Sequence, residues 1–175
     1  GTFTIGKQSI NPADDTYRDV TVDTIEDVVY TGLSQAILPV VKDKNGAVLV
    51  KDTDYTVAFS ADTTNVGTVT VTITGIGNFE CEITTTYQIT PAPVTVTADD
   101  LGKIFGEVDP ELTYTVEGMV NGESDTLITV TSTTRVEGEA QGTYVITSTG
   151  AELQGNYQVT YVSGTFTIRK QSINP

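Results

Sequence analysis

Apolar and polar residues alternate along several short stretches of this chain. The clearest case is TVTVTIT at 68–74, where Val69, Val71 and Ile73 share one face and four threonines occupy the other. A period of two is typical of a strand with one face buried and the other in contact with water. No stretch shows sustained helical spacing of apolar residues with capping signals. The pattern therefore predicts an all-β protein.

The same alternation predicts which side chains form the core. Cys81 lies in ECEITTTYQI and shares the parity of Ile83, so we expect an inward thiol that reagents modify slowly. It is the single cysteine, and no intrachain disulfide can form. Alternating threonines are expected to be exposed. The predicted core comprises Val69, Val71, Ile73, Ile83, Tyr87, Ile89, Tyr144 and Ile146.

Two Asn-Gly pairs predict tight turns. Asn45-Gly46 lies between apolar runs in VVKDKNGAVLV, and Asn121-Gly122 lies within YTVEGMVNGESDTLITV. Asn and Gly both tolerate positive φ, as the two central residues of a type I′ hairpin turn require. Each pair therefore predicts a β-hairpin.

An internal repeat divides the chain. Gly67-Thr68 matches Gly142-Thr143, Gly77-Asn78-Phe79 matches Gly155-Asn156-Tyr157, and TYQI at 86–89 corresponds to TFTI at 165–168. Repetition at this scale indicates two related β domains. Their boundary falls at ITPAPVTV, where Pro91 and Pro93 form a short, stiff connection.

A second repetition links the two ends. GTFTIGKQSINP at 1–12 returns as GTFTIRKQSINP at 164–175, with Gly6 replaced by Arg169. This predicts a tandem array. We expect 1–5 to be the last strand of a preceding repeat and 169–175 to begin the next. The two domains between them occupy 6–91 and 92–168.

The short connections between domains predict an elongated shape. Strands of six or seven residues give domains of roughly 35–40 Å, so two domains stacked end to end form a rod of roughly 70–80 Å. The end segments are expected to remain free or to pair with a neighbouring chain, which would allow head-to-tail self-association of the repeats.

Composition narrows the function. The 175 residues carry 23 acidic and 9 basic side chains, a formal charge of −14. This argues against nucleic acid, whose phosphates require clustered Lys and Arg, and against an anionic membrane surface. No apolar run approaches the roughly 20 residues that cross a bilayer. Residue 1 already lies inside the repeated phrase, so we expect targeting signals to lie outside this segment.

Two resemblances follow from longer motifs. The stretch from VYTG through DYTV to VTITGIGNF resembles bacterial surface repeats of the YTG…DYTV…VTITGxGNY pattern. The stretch VTVTADDLGKIFGEVDPELTYTVEGMVNGES resembles the MBG family of the YGX type, whose GTY…GNY segment is met by 142–144 and 155–157. Phe105 stands where that family has tyrosine. Both resemblances imply Ig-like β-sandwiches in secreted or surface-attached bacterial proteins, and neither implies catalytic residues.

The residue types in the chain give little support for catalysis. The chain has no histidine, so it cannot assemble a Ser-His-Asp triad, a Cys-His pair or a histidine metal site. No catalytic, cofactor-binding or metal-binding residue is predicted, and the protein is not expected to be an enzyme. ADD occurs at 13–15 and 98–100, just after each domain begins. Solvated acids are the favoured interpretation, and a junction calcium that uses Asp14 and Asp99 is the alternative.

Two further alternatives concern binding and cross-linking. Host glycan or protein binding would need an exposed aromatic patch, for which Tyr17 and Tyr161 are the candidates. A covalent Lys–Asn cross-link would form beside a buried acid. The first domain offers Lys7, equivalent to Lys170, with Asn65 and Asn78. The second offers Lys103, which we expect to be exposed in a loop.

The sequence thus predicts two Ig-like β-sandwiches in series, forming a structural repeat of an extracellular or cell-surface bacterial protein, an adhesin. Its work would be that of a stalk, spacer or fibre segment. Its partners would be neighbouring repeats of the same chain. The alternative function is a multivalent adhesive module that binds host glycan or mucin.

Overall fold

A computed structural model describes residues 2–10 and 20–172 of the chain. Within these residues the protein forms sixteen β-strands and one short 3₁₀-helix, Asp125–Leu127, which confirms the all-β prediction. The chain divides into two compact units, Gly1–Thr90 and Pro91–Pro175, called here the first and second domains. In the described part of the chain no helix is long and apolar enough to cross a membrane.

The first domain contains eight of these strands. Four of them form a sheet in the order β3-β8-β6-β5, and two separate pairs, β1-β7 and β2-β4, complete the domain. The strands are β1 (Gln8–Ser9), β2 (Thr21–Val22), β3 (Val28–Val29), β4 (Val41–Lys42), β5 (Tyr55–Phe59), β6 (Gly67–Gly75), β7 (Phe79–Glu80) and β8 (Glu82–Thr90).

The alternation of β6 determines which face of this sheet is buried. Val69, Val71 and Ile73 are at most 1% exposed, as predicted. Thr68 on the other face is exposed, and the following threonines of the strand are half-buried, which is a correction to their predicted exposure. The inward register is thus confirmed.

The second domain contains the other eight strands in two sheets that pack face to face. Their orders are β10-β16-β13-β12 and β11-β9-β15-β14. The strands are β9 (Ala92–Ala98), β10 (Leu101–Ile104), β11 (Tyr114–Glu117), β12 (Ser132–Arg135), β13 (Gly142–Thr149), β14 (Leu153–Gln154), β15 (Tyr157–Val162) and β16 (Gly164–Arg169). Ala98, Ile146, Phe166 and Ile168 form a buried cluster between the sheets.

The two domains share strand connectivity. In each domain the last strand, β8 or β16, pairs in parallel with an edge strand, β3 or β10. On its other side it pairs antiparallel with the strand that begins at the repeated Gly-Thr, β6 or β13. Gly77 and Gly155 both take a left-handed conformation, with φ of 64° and 57°. The following aromatic residues, Phe79 and Tyr157, are both buried. The sequence repeat therefore corresponds to a repeat of turns and sheet order.

Cys81 is a correction to the predicted core. It is exposed, whereas Tyr87 and Ile89 on β8 are buried as predicted. Cys81 lies between β7 and β8 with φ of 71°, in the left-handed region. That single residue interrupts the extended backbone, so the parity that holds along β8 does not extend back to it. Ile83, the next inward position, is only half-buried.

Tyr144 is a second correction to the core. Its ring is half-buried, and its hydroxyl donates to the carbonyl oxygen of Ala140 at 2.8 Å. Ile146, two residues later on β13, is fully buried as predicted. Tyr144, which is nearer the start of β13, therefore lies at the edge of the hydrophobic core.

The two Asn-Gly pairs differ in outcome. Asn45-Gly46 closes a hairpin, with Lys42 bridged to Val48, but only Gly46 of the pair takes a positive φ, so the turn is not type I′. Asn121 and Gly122 both have positive φ, 51° and 70°, as predicted. A 3₁₀-helix follows this second turn instead of a paired strand, so the predicted hairpin there is wrong.

The start of the chain is irregular. Residues 2–7 form no strand, and Phe3 and Ile5 are 88% and 83% exposed. The chain first becomes ordered in a sheet at β1, where the Gln8 amide donates to the carbonyl oxygen of Asn78 at 2.8 Å. The Ala92 amide makes the same bond to Asn156 in the second domain, at 2.9 Å.

Candidate functional site: a charged cluster in the second domain

Lys103 is buried in the second domain, contrary to the predicted exposed loop position. It lies on strand β10, in register with Ile168 of β16, and its side chain is only 4% exposed. The Lys103 Nζ lies 2.7 Å from Asp109 Oδ1 and 2.5 Å from Glu139 Oε2. The ammonium is therefore buried with a carboxylate on either side.

Arg135 is the second cation of this group, and its side chain is 9% exposed. Its Nε donates to Asp109 Oδ2 at 2.6 Å, and its Nη2 donates to Asp109 Oδ1 at 3.1 Å and to Glu139 Oε1 at 2.7 Å. Its Nη1 donates to the carbonyl oxygens of Val136 and Gly138, both at 2.9 Å. All five guanidinium donors are thus used.

We call Lys103, Asp109, Arg135 and Glu139 the charged cluster. It spans the sheet β10-β16-β13-β12, because Lys103 lies on one edge strand and Arg135 on the other. β16 lies between these edge strands, and the ring centroid of its Phe166 is 4.7 Å from the Arg135 guanidinium carbon. A cation over an aromatic face is attracted by the ring's quadrupole. The charged cluster therefore covers one end of the hydrophobic core.

Two local features bring the acidic side chains back to the sheet. After β10 the chain turns, with the Glu107 amide bonded to the Ile104 carbonyl and Gly106 at φ of 91°, and Asp109 follows. After β12, Gly138 permits a close approach to Tyr144, since a Cβ there would lie 2.3 Å from the ring. With any larger residue at 138, either the Tyr144 ring or the segment that carries Glu139 would have to shift.

The charges of the cluster fix one another's ionisation. Hydrogen bonds from Arg135 and then Lys103 lower the pKa of Asp109 from 3.8 to about 2. Lys103 and Arg135 likewise lower the pKa of Glu139. Asp109 and Glu139 raise the pKa of Lys103, and Asp109 is the main cause of the raised pKa of Arg135. All four groups are therefore charged near neutral pH.

This arrangement suits a structural role better than a chemical one. A carboxyl group with a pKa of about 2 carries no proton to donate near pH 7 and is a weak base. A Lys–Asn cross-link needs a neutral amine, and the raised pKa of Lys103 opposes this. The cluster's two cations and two anions instead tie the edges of one sheet together.

The proposed calcium ligands of the second domain are engaged within their own domain. The hydroxyls of Thr113 and Thr115 donate to the two carboxylate oxygens of Asp99, at 2.6 and 2.9 Å. The Thr165 amide donates to Asp100 Oδ1 at 2.6 Å. In residues 2–10 and 20–172 no three acidic or cysteine side chains are grouped to hold a metal ion. Asp14 and Asp15 lie outside the described residues.

The other residues singled out by the sequence lie apart from the charged cluster. Tyr161 is half-buried, and its hydroxyl donates to the Ala151 carbonyl oxygen at 3.2 Å, so it does not present an open platform. Tyr17 lies outside the described residues. Lys7, Lys170 and Asn78 are exposed, and Asn65, also exposed, donates to Asp62 Oδ2 at 2.8 Å.

Sequence reasoning missed the charged cluster because its members are dispersed along the chain. The available signal was weak: Lys103 follows Leu101 at strand spacing, and Arg135 and Glu139 are four residues apart. Only the sheet order, which places β10 and β12 on either side of β16 and β13, brings the four together.

Comparison with known families supports the resemblance of the second domain. Residues 94–167 match the family model described as MBG domain (YGX type). The second domain is similar to MBG domains. The matched segment includes Lys103, Asp109, Arg135 and Glu139, and so the whole charged cluster. Phe105, the departure from the YGX motif, is 52% exposed, so its missing hydroxyl costs no buried hydrogen bond. No curated protein matches the chain.

Proposed function

We propose that this chain is a structural repeat unit of a long, secreted or cell-surface bacterial protein, an adhesin in which it acts as stalk, spacer or fibre segment. The observation that carries the proposal is the match of residues 94–167 to the MBG domain, a repeat family of bacterial surface proteins. This similarity supports a location outside the cell.

The organisation of the chain supports a repeat. In each domain one four-stranded sheet, β3-β8-β6-β5 or β10-β16-β13-β12, has the same order of strands, as expected if one kind of module has been duplicated. The phrase that forms β16 near the end of the chain also stands at its start. One residue, Pro91, separates β8 from β9, which suits a series of modules joined with little slack.

The distribution of charge supports a spacer rather than a binding module. A net charge of −14 keeps neighbouring copies soluble and apart. In the second domain, the side chains of the charged cluster contact one another and the ring of Phe166. These features favour a domain built to hold its shape.

Small-angle scattering tests the proposal on chains of one, two and three tandem copies of residues 1–163. We expect the maximum dimension to grow by roughly 70–80 Å with each copy, since each copy contributes two domains of strand-plus-loop length. A matched control carries a six-residue Gly-Ser insertion after Thr90. It should give a broader distance distribution, because the added residues loosen the connection.

Mucin binding, measured for the same three chains, distinguishes the spacer from an adhesive module. We expect no binding by any of them. Binding whose avidity increases with copy number would assign adhesion to the repeats themselves, since linked sites bind more tightly than single ones. Compact particles whose size does not grow linearly would also contradict the stalk.

A further inference from the structure

The chain contains two exposed Asn-Gly pairs that differ in their hydrogen bonds. They are Asn45-Gly46 and Asn121-Gly122. Asparagine before glycine is chemically labile, because the glycine has no Cβ to hinder attack of its backbone nitrogen on the asparagine side-chain carbonyl carbon. At both glycines an added Cβ would meet no atom within 4 Å. Steric access therefore does not distinguish the two pairs.

The first pair is held by Asp43. The Gly46 amide donates to the Asp43 backbone carbonyl oxygen at 2.9 Å. The Asn45 amide donates to Asp43 Oδ1 at 2.8 Å, and Asn45 Nδ2 donates to Asp43 Oδ2 at 3.3 Å. Hydrogen bonds from the Ala47 amide and then from Asn45 hold the pKa of Asp43 below its usual range, so it is an anion near neutral pH. A neighbouring anion disfavours loss of the Gly46 amide proton.

The second pair exposes its glycine amide to water. Asn121 and Gly122, with φ of 51° and 70°, are the central residues of a turn that the Glu123 amide closes by donating to the Val120 carbonyl oxygen at 2.9 Å. That bond uses the amide after Gly122. In the described part of the chain the Gly122 amide donates no hydrogen bond. Its proton is therefore accessible to hydroxide.

We propose that Asn121 is a site of spontaneous deamidation and that Asp43 protects Asn45 from the same reaction. Hydroxide removes the proton of the Gly122 amide, and the nitrogen bonds to the Asn121 side-chain carbonyl carbon. The side-chain amide group takes a proton from water and leaves as ammonia, which gives a cyclic succinimide. Water then opens either carbonyl of the ring, so the product is aspartate or isoaspartate. The reaction consumes water, releases ammonia and changes no oxidation state.

The turn that carries Asn121 is attached to the buried Tyr157. The Tyr157 hydroxyl accepts from the Val120 amide at 3.4 Å and donates to Glu123 Oε2 at 2.6 Å. Isoaspartate would add a methylene group to the backbone between these two contacts, together with a negative charge. We therefore expect the modified turn to open more often and the Glu123 amide to exchange its hydrogen faster. The reaction holds whether or not the protein is a surface stalk.

Peptide mapping by mass spectrometry, on the intact folded chain kept at mildly alkaline pH, tests the proposal. We expect aspartate and isoaspartate to form at Asn121 about tenfold faster than at Asn45. That ratio corresponds to about 1.4 kcal/mol, the order of one hydrogen bond. The rate at Asn121 should rise with pH, since hydroxide removes the amide proton. In the urea-unfolded chain the two rates should agree within about twofold, because neither pair keeps its contacts.

Three variants provide the controls, each checked by a melting curve to be folded. Asp43→Ala should raise the rate at Asn45 several-fold and leave the rate at Asn121 unchanged. Asp43→Ser should raise it less, since the serine oxygen can still accept from one of these amides. Asn121→Gln, whose longer side chain does not form a succinimide, should remain unmodified at that position. Its Glu123 amide should exchange at the same rate before and after incubation.

Several results would overturn the proposal. One is an Asn121 that stays intact in the folded chain although it deamidates in urea. Another is an equal rate at the two pairs in the folded chain, since the hydrogen bonds would then have no effect. A rate at Asn45 that neither substitution of Asp43 changes would refute its protection. Unchanged exchange of the Glu123 amide in the isoaspartate form would refute the expected effect on the turn.

Discussion

Asp109→Asn tests whether the charged cluster stabilises the second domain. The substitution keeps the size of the side chain but removes the anion that accepts from Arg135 Nε at 2.6 Å and lies 2.7 Å from Lys103 Nζ. Two cations with side chains only 4% and 9% exposed then share a single carboxylate, Glu139. Buried charge without a partner is costly, so the variant should be less stable.

The pKa of Asp109 sets the magnitude. Its partners hold it at about 2 against 3.8 for an unperturbed aspartate. At about 1.4 kcal/mol for each pKa unit, the difference corresponds to about 2.4 kcal/mol. Because the Asp109 side chain is 36% exposed, solvent screening reduces this to about 1 kcal/mol. For a domain of this size that is a fall in melting temperature of about 5 °C.

The sign of the pH dependence follows from the lowered pKa. A carboxyl group that ionises more readily in the folded state stabilises the protein fully above its unfolded pKa, and this stabilisation is lost as pH falls through the folded pKa. For Asp109 the window runs from about pH 5 down to about pH 2. The difference between the native chain and Asp109→Asn should therefore be largest at neutral pH and shrink across that window.

Calorimetry at pH 7 and at several values down to pH 2.5 measures the effect. Glu111→Gln is the matched control, since it removes a charge from the exposed stretch that follows Asp109 and should leave the melting temperature within about 1 °C. An Asp109→Asn chain as stable as the native one at pH 7 would refute the stabilising role. So would a loss of equal size at pH 7 and pH 2.5.

Two further predictions concern single positions. Cys81 is exposed, so a thiol reagent should modify it in the folded protein at a rate within a few-fold of that in the urea-unfolded chain. A rate a hundredfold lower in the folded protein would show that the thiol is buried. Gly164→Ala would put a Cβ 2.3 Å from the Ala98 carbonyl oxygen, a backbone atom that cannot move aside, whereas Gly6→Ala has open space. In urea unfolding, we expect Gly164→Ala to lower the free energy of unfolding by about 2–3 kcal/mol and Gly6→Ala to lower it by under about 0.5 kcal/mol. Equal losses for the two variants would contradict the packing argument.

The sequence by itself determined the class of fold and much of the register. Strict alternation in β6 placed Val69, Val71 and Ile73 inward, because a pleated strand has only two faces and burial selects one of them. The repeated Gly-Asn-aromatic segments at 77–79 and 155–157 indicated two related domains, and both glycines take the same left-handed backbone. These are local properties, so the residues involved and their near neighbours suffice to predict them.

Tertiary structure decided the rest. Alternation placed Cys81 inward, but the change of direction between β7 and β8 depends on how the strands are arranged, and at that residue the parity breaks. The residues next to Lys103 in the sequence predict a lysine exposed to solvent. It is buried because Asp109, Arg135 and Glu139 converge on it across a sheet, and only the completed order of strands brings together charges that lie up to 36 residues apart in the chain.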